Sequence, residues 1–215
     1  MADIFDLVSG ADRAALMAAI EAEPSLLKAR NGAGASVVAY AAYMGQAALA
    51  RELAARAGTA DPYDAIIIGN MPDLEAALAG GWDGNRLSPD GFTPLGLACF
   101  FSNEAAFDRL LPLTRDVNER AKNAQGVAAI HAAVAHGSDR MVETLLRAGG
   151  DANLKQADGF RPLHGAAQNG NAVQVGLLLL AGAQPRSATD DGKTAADYAR
   201  EAGHDWLAGR LQRLI

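Results

Sequence analysis

Histidines, a cysteine and neighbouring carboxylates are the residues of this chain that could do chemistry. Four histidines and one cysteine, Cys99, are scattered over 215 residues, and their spacing matches no zinc motif. Asp190 and Asp191 are adjacent, but they precede a glycine in a turn, where solvated carboxylates are common. A catalytic centre needs a base beside a nucleophile, paired carboxylates or a metal cluster. We therefore expect a protein that is not an enzyme and that holds neither a cofactor nor a metal.

Charge and hydropathy argue against two further classes of function. The net charge is −6 and no basic cluster occurs, which argues against nucleic-acid binding. Residues 1–107 carry a net charge of −7 and residues 108–215 carry +1, so a basic partner would be steered toward the N-terminal part. The longest apolar stretches, such as 175–183, are too short to cross a bilayer, and no membrane association is expected. A single cysteine excludes a disulfide framework and favours a reducing compartment such as the cytoplasm.

Four segments of the chain repeat one pattern from a turn glycine onward. They start at Gly91, Gly126, Gly159 and Gly192, which are 35, 33 and 33 residues apart, and the first reads Gly-Phe-Thr-Pro-Leu-Gly-Leu-Ala. In three of them a second glycine follows 11 residues later, where the remaining segment has Ser102. A Leu-Leu pair follows in three of the segments. A period of this length indicates supersecondary units that stack to complete one another's core.

Each repeat has the signals of a tight turn followed by two helices. Asp-Gly dipeptides favour the turn, and Thr93 and Pro94 suit the start of a helix. The second glycine ends this helix, and the apolar spacing after it predicts a second helix. The pattern therefore predicts an all-α fold of about seven stacked helical pairs. The expected pairs lie at roughly 3–21, 36–57, 63–80, 94–112, 128–148, 161–181 and 194–213.

This pattern resembles the ankyrin repeat, which has a period of about 33 residues and the signature Thr-Pro-Leu-His-x-Ala. The resemblance is strong in residues 88–215 and weaker but continuous in 1–87. It implies a solenoid with β-turn hairpins between the pairs, in one domain over 1–215 that has an N-terminal cap pair at 1–30, repeats at 31–186 and a C-terminal cap repeat at 187–215. The third pair departs from the period because Gly45 and Gly69 are only 24 residues apart. We expect the hairpin before this pair, between Gly58 and Asp61, to be shortened.

The resemblance gives structural roles to residues that could otherwise do chemistry. His131 and His164 occupy the signature histidine position, which in the family makes hydrogen bonds between turns. Gly96 takes this place in the segment that starts at Gly91. Cys99 falls where the family has a small buried residue, so inert packing is expected.

The resemblance also implies a binding surface. In ankyrin repeats the last two residues of each first helix face a concave groove, and in this chain those residues are apolar in three consecutive repeats and polar afterwards. An exposed apolar patch of this kind marks an interaction site. The alternative is that Ile67, Ile68 and Phe101 fill the space left by the missing hairpin and are buried. The candidate partner-binding residues, with one hairpin residue included, are Tyr43, Met44, Ile67, Ile68, Phe92, Phe100, Phe101, His136 and Gln168.

These expectations lead to one function and one alternative. We expect a monomeric protein–protein interaction module, which acts as an adaptor, an inhibitor or a subunit of a complex and binds an unidentified protein partner through its groove. The alternative is a receptor for a small molecule or short peptide in the gap beside the shortened third repeat. An enclosed cavity would favour the receptor, whereas an open groove would favour the protein-binding module.

Overall fold

The computed structural model describes residues 3–10, 12–58 and 61–214 of the chain. These residues form fourteen α-helices and no strand, which confirms the predicted all-α class. The helices follow one another in pairs joined by short turns. Their bounds are α1 (Ile4–Ser9), α2 (Arg13–Ala22), α3 (Val37–Tyr43), α4 (Ala47–Ala57), α5 (Pro62–Ile68), α6 (Met71–Ala79), α7 (Pro94–Phe100), α8 (Glu104–Leu110), α9 (Ala129–Ala135), α10 (Asp139–Arg147), α11 (Pro162–Gln168), α12 (Ala172–Leu180), α13 (Ala195–Glu201) and α14 (Asp205–Gln212).

Many of these helices are preceded by a polar side chain that caps their first turn. The Ser36 hydroxyl oxygen accepts the N–H of Ala39 at 2.9 Å, and the Asn103 side chain accepts the N–H of Ala106 at 3.1 Å. Each such cap satisfies a donor that the helix itself leaves unpaired, and it stabilises the helix by about 1 kcal/mol. The same kind of cap precedes other helices at Asp12, Asp61, Asn70, Ser138 and Asn171.

The second residue after most first helices takes a positive backbone angle φ. Gly137 and Gly170 have φ values of 75° and 68°. Ser102 stands at the equivalent place after α7 and also has a positive φ, of 51°. An L-residue in this region costs roughly 1–2 kcal/mol. The repeat therefore imposes the same turn geometry even where its glycine is replaced.

Two buried histidines each connect one hairpin to the next. His131 Nδ1 accepts the N–H of Ala128 at 3.2 Å, and its Nε2 donates to the carbonyl oxygen of Leu154 at 2.9 Å. His164 makes the same two contacts one repeat later, at 3.0 and 2.9 Å. Both ring nitrogens of each histidine are thus used in backbone contacts, which confirms the predicted structural role.

The connections between the helical pairs differ in length. α4 ends at Ala57 and α5 begins at Pro62, whereas α10 ends at Arg147 and α11 begins only at Pro162. The predicted shortened hairpin falls in the first of these connections, of which residues 59 and 60 lie outside the described residues. Short antiparallel bridges close three of the other hairpins, at Arg30–Ser36, Arg120–Ala128 and Ala188–Thr194.

Packing divides the chain into two compact units, Met1–Pro94 and Leu95–Ile215. In the first unit, α1 to α4 enclose an apolar core in which Leu53 is fully buried. In the second unit, the helices enclose a core that contains Phe107. The single domain over 1–215 and its cap boundaries stay predictions, and residues 1, 2, 11 and 215 of the two caps lie outside the described residues.

A glutamine side chain lies within the core of the second unit. Gln174 on α12 has no exposed surface, and its Nε2 and Oε1 have no hydrogen-bond partner in the described part of the chain. Met141 and Leu207 occupy the same place one repeat earlier and one repeat later, and both are buried. The Gln174 amide therefore replaces an apolar side chain without a compensating hydrogen bond.

Candidate functional site

An exposed aromatic residue ends α7 in the second unit. Phe100 has 39% of its surface exposed. Its ring meets the rings of Phe101 and His136 edge-on, with centroid distances of 5.1 and 6.0 Å. Phe101 is half-buried and His136 is exposed. Edge-to-face pairs of this kind hold aromatic rings in fixed positions, so Phe100 presents a supported apolar surface to solvent.

A pocket of about 220 Å³ lies beside Phe100. It is formed by α7, α9 and α11 together with hairpin residues that precede the latter two helices. Two of the predicted site residues, Phe100 and Gln168, thus line one depression. The full lining is Phe100, Val127, His131, Ala132, Val134, Ala135, Gln156, Phe160, Pro162, Gly165, Gln168 and Asn169.

Small residues occupy one position of the repeat beside the pocket. Counted from the turn glycine of each segment, the seventh residue is Leu97, Ala132, Gly165 and Tyr198 in successive repeats. Ala132 and Gly165 line the pocket. Tyr198 in the following repeat packs its ring against Phe160 at 5.3 Å. A Cβ at Gly165 would lie 3.1 Å from Val134 Cγ1 and 3.4 Å from Phe160 Cε1, so the glycine lets these two lining side chains pack closely against α11.

The lining of the pocket is uncharged. His131 is the only ionisable side chain among its lining residues. Burial lowers the pKa of His131 to about 4, so this side chain is neutral at neutral pH. The remaining lining side chains are apolar groups or the amides of Gln156, Gln168 and Asn169. This environment suits a ligand that places an apolar group in the pocket and has adjacent polar groups that form hydrogen bonds with the amides.

A family model for ankyrin repeats in three copies matches residues 63–156 and 130–211, which together make up more than half of the chain. The chain belongs to the ankyrin-repeat family. Ankyrin repeats are generally modules for protein interaction, and proteins built from them are typically not enzymes. No curated protein matches the chain.

In the N-terminal unit of this ankyrin-repeat protein, Tyr43 is held by the hairpin before α7. Its hydroxyl donates to the Asp90 carboxylate at 2.8 Å, and its ring lies 6.0 Å from that of Phe92. Burial, followed by the negative charge of Asp90, raises the pKa of Tyr43. Tyr43 and Phe92 are half-buried, whereas Met44 is 48% exposed. Tyr43 thus positions the hairpin, and Met44 presents the most exposed apolar surface of these three.

Two candidate residues of the third ankyrin pair pack within the N-terminal unit. Ile67 is 7% exposed. Ile68 is half-buried and packs against the core formed by α1 to α4. Local packing, the alternative for these two residues, therefore describes them better than exposure in a groove. Burial of branched apolar side chains is the ordinary outcome in a core.

A buried carboxylate takes the place of the signature histidine in the third pair. Asp64 lies three residues after the helix-capping Asp61, as His131 lies three residues after Ala128. It is 8% exposed, and the Ser36 hydroxyl donates to its Oδ1 at 2.6 Å. Burial, more than any other cause, raises its pKa to about 6. Asp64 is not among the candidates that the pattern indicates, although the alignment of Asp61-Pro62 with Thr93-Pro94 in the repeat would have located it.

A cavity of about 300 Å³ lies beside Asp64. The guanidinium of Arg30 forms an ion pair with Asp61 at 2.5 Å and also donates to the carbonyl oxygen of Gly34 at 2.9 Å. Charged and polar groups dominate this cavity, in contrast to the pocket beside Phe100. It is lined by Leu27, Lys28, Arg30, Ser36, Ala57, Asp61 and Asp64.

Groups suited to catalysis are not brought together within the described residues. Cys99 is fully buried, and burial raises the pKa of its thiol, which disfavours the reactive thiolate. The described part of the chain contains no group of three or more His, Cys, Asp or Glu side chains that could hold a metal ion. Across residues 3–10, 12–58 and 61–214, no helix is long and apolar enough to cross a membrane.

Proposed function

We propose that the chain is a monomeric binding module for a protein partner, in which the ends of α7, α9 and α11 form the contact surface. The observation that carries this proposal is the exposure of Phe100 beside the apolar pocket. Phe101, His136 and Gln168 surround it as further contact residues. In the N-terminal unit, the exposed Met44 is proposed as a second contact, next to Tyr43 and Phe92.

The physical case rests on how binding energy is distributed in interfaces. A few aromatic residues in well-packed surroundings usually carry most of the energy. Phe100 meets this description because two neighbouring rings fix its position. Such a module acts as an adaptor, an inhibitor or a subunit of a complex. The lone buried Cys99 supports a reducing compartment such as the cytoplasm.

The Phe100→Glu variant is expected to bind the partner more weakly by about 2 kcal/mol. The substitution replaces the Phe100 ring, which the partner covers in the proposed complex, with a charged side chain. The wild-type chain, immobilised, is used to capture proteins from a lysate of its source cell. The captured protein is then titrated against wild type and variant by calorimetry. The far-ultraviolet circular dichroism of the variant should match that of wild type, since Phe100 is exposed.

The matched control for this experiment is Leu180→Glu. Leu180 is 89% exposed on α12 and does not line the pocket, so it tests the same change of chemistry at another place. Loss of binding in Phe100→Glu with retention in Leu180→Glu supports the proposal. Equal affinity of a folded Phe100→Glu variant and wild type would refute it.

The cavity beside Asp64 favours a second candidate function. Its volume of about 300 Å³ is at the lower end of the range for small-molecule sites, and it lies next to the short connection between α4 and α5. We propose that, in this case, the N-terminal unit is a receptor for a small polar molecule. A thermal-shift screen of polar metabolites should then find a ligand that stabilises wild type but not Arg30→Gln. If every metabolite leaves the unfolding temperature of wild type unchanged, this second candidate is rejected.

A further inference from the structure

We infer that the pocket between Phe100 and Phe160 receives one uncharged apolar side chain from an extended segment of the partner protein. The inference rests on the proposed function and goes beyond it, because it states the chemistry of the group that the partner must present. It follows from three properties of the pocket: its size, its lack of charge and the amides that lie at it.

The size of the pocket fits a side chain better than a free small molecule. Small-molecule sites usually enclose about 300–1,000 Å³, whereas this pocket encloses about 220 Å³. Ala132 and Gly165 line it where the flanking repeats carry the larger Leu97 and Tyr198. Residues of three consecutive repeats line it, from Phe100 to Asn169. A single aliphatic or aromatic side chain is small enough to enter it.

The lack of charge in the pocket selects against charged side chains. His131 cannot compensate a charge, because its Nδ1 already accepts the N–H of Ala128 and its Nε2 already donates to Leu154. A lysine or glutamate side chain of the partner would lose its hydration without gaining an ion pair, which is costly. An apolar side chain loses only unfavourable contact with water. The exposed faces of Phe100 and Ala135 extend the apolar surface to the mouth of the pocket.

The side-chain amides at the pocket can form hydrogen bonds with the backbone of a polypeptide. The side chains of Gln156 and Gln168 make no hydrogen bond with another described residue. Each carries both a donor and an acceptor, which matches the carbonyl and the N–H of a peptide group. An apolar pocket with free amides therefore recognises a side chain together with its own backbone. This combination favours a peptide segment over an isolated hydrocarbon.

The test uses capped amino acids as probes of the pocket. N-acetyl-leucinamide, N-acetyl-lysinamide and N-acetyl-glutamic acid amide are titrated into the isotope-labelled chain, and amide resonances are followed by two-dimensional NMR. The leucine probe should produce saturable shifts at Ala135, Gly165 and Gln168, whereas the two charged probes should not. Shifts of equal size from all three probes, or none from the leucine probe, would overturn the inference.

Variants that fill the pocket provide the second arm of the test. Ala135 is exposed and lines the pocket, so Ala135→Phe and the smaller Ala135→Leu should occupy it without disturbing the core. Both variants should abolish the shifts caused by the leucine probe. Ala105→Phe adds the same bulk at an exposed position of α8 outside the pocket and should leave the shifts unchanged. Retained shifts in both Ala135 variants would contradict the inference.

Binding of the captured partner to the Phe100→Glu and Ala135→Phe variants distinguishes this inference from the proposed function. If Phe100→Glu and Ala135→Phe both lose the partner, the two proposals are supported together. If Phe100→Glu loses it and Ala135→Phe retains it, the protein-binding function stands and the pocket inference fails. If both variants retain the partner, both proposals fail.

Discussion

The Gln174→Met variant is expected to be more stable than wild type by about 3 kcal/mol, because it removes two buried polar atoms that lack partners, each of which costs about 1–3 kcal/mol. Gln174 lies in the core of the second unit, and its side-chain atoms have no hydrogen-bond partner in the described part of the chain. Methionine has a similar length and flexibility. It also stands at the equivalent position one repeat earlier, as Met141.

Urea unfolding followed by circular dichroism measures this effect. The variant should unfold at a higher urea concentration, and hydrogen exchange of the α12 amides should slow by a corresponding factor. Gln212→Met is the control, since Gln212 is exposed at the end of α14 and its replacement should change stability by less than about 0.5 kcal/mol. A Gln174→Met variant that is less stable than wild type would show that the amide contributes to the core.

The Asp64→Asn variant is expected to be more stable than wild type at neutral pH and equally stable in acid. The pKa of Asp64 is raised from 3.8 to about 6, mainly by burial and further by Asp61 and Asp90. The folded state therefore binds the proton more tightly than the unfolded state does, and wild type loses stability as the pH rises from about 4 to about 6. A shift of this size corresponds to about 3 kcal/mol, at about 1.4 kcal/mol for each pH unit. Asparagine cannot ionise, and its carbonyl oxygen still accepts the Ser36 hydroxyl.

This prediction is checked by urea unfolding of the N-terminal unit between pH 3.5 and 8. Trp82 packs against Tyr63 in this unit, so its fluorescence in a Trp206→Phe background reports on the unit alone. The stability difference between variant and wild type should be near zero at the lowest pH and should level off above pH 6.5. Glu21→Gln, at an exposed position of α2, should show no such dependence. A difference that is constant across the pH range would contradict the assigned role of Asp64.

The periodic arrangement of turns and helices was predictable because it depends on local chemistry. Turn glycines such as Gly137 need a positive φ, capping residues such as Asn103 start helices, and apolar spacing selects the buried face. Each of these signals acts within a few residues, so the sequence carries it directly. The structural role of the two signature histidines was predictable from the resemblance, which assigns them hydrogen bonds between turns.

The site was predictable only in part, because exposure depends on residues that are distant in sequence. Ile68 and Phe100 are each the last residue of a seven-residue helix that begins at a proline. Phe100 is nevertheless exposed, whereas Ile68 is half-buried against the core formed by α1 to α4. The pocket depends on the sizes of residues in three repeats, and its volume cannot be obtained from any one of them. Gln174 gives no signal by itself, since a glutamine is common on helix surfaces. Its environment becomes evident only when Met141 and Leu207 are aligned with it.

The series Leu97, Ala132, Gly165 and Tyr198 has a consequence for how recognition diverges among related chains. This position lies in the first helix that every repeat shares, and in this chain it accommodates residues from glycine to tyrosine. A mutation that changes the size of this residue in one repeat alters the surface of that repeat and leaves the others unchanged. Duplication or loss of a whole repeat moves that surface along the array. A lineage of such proteins can therefore acquire new partners by substitutions at one recurring position, without first evolving a new fold.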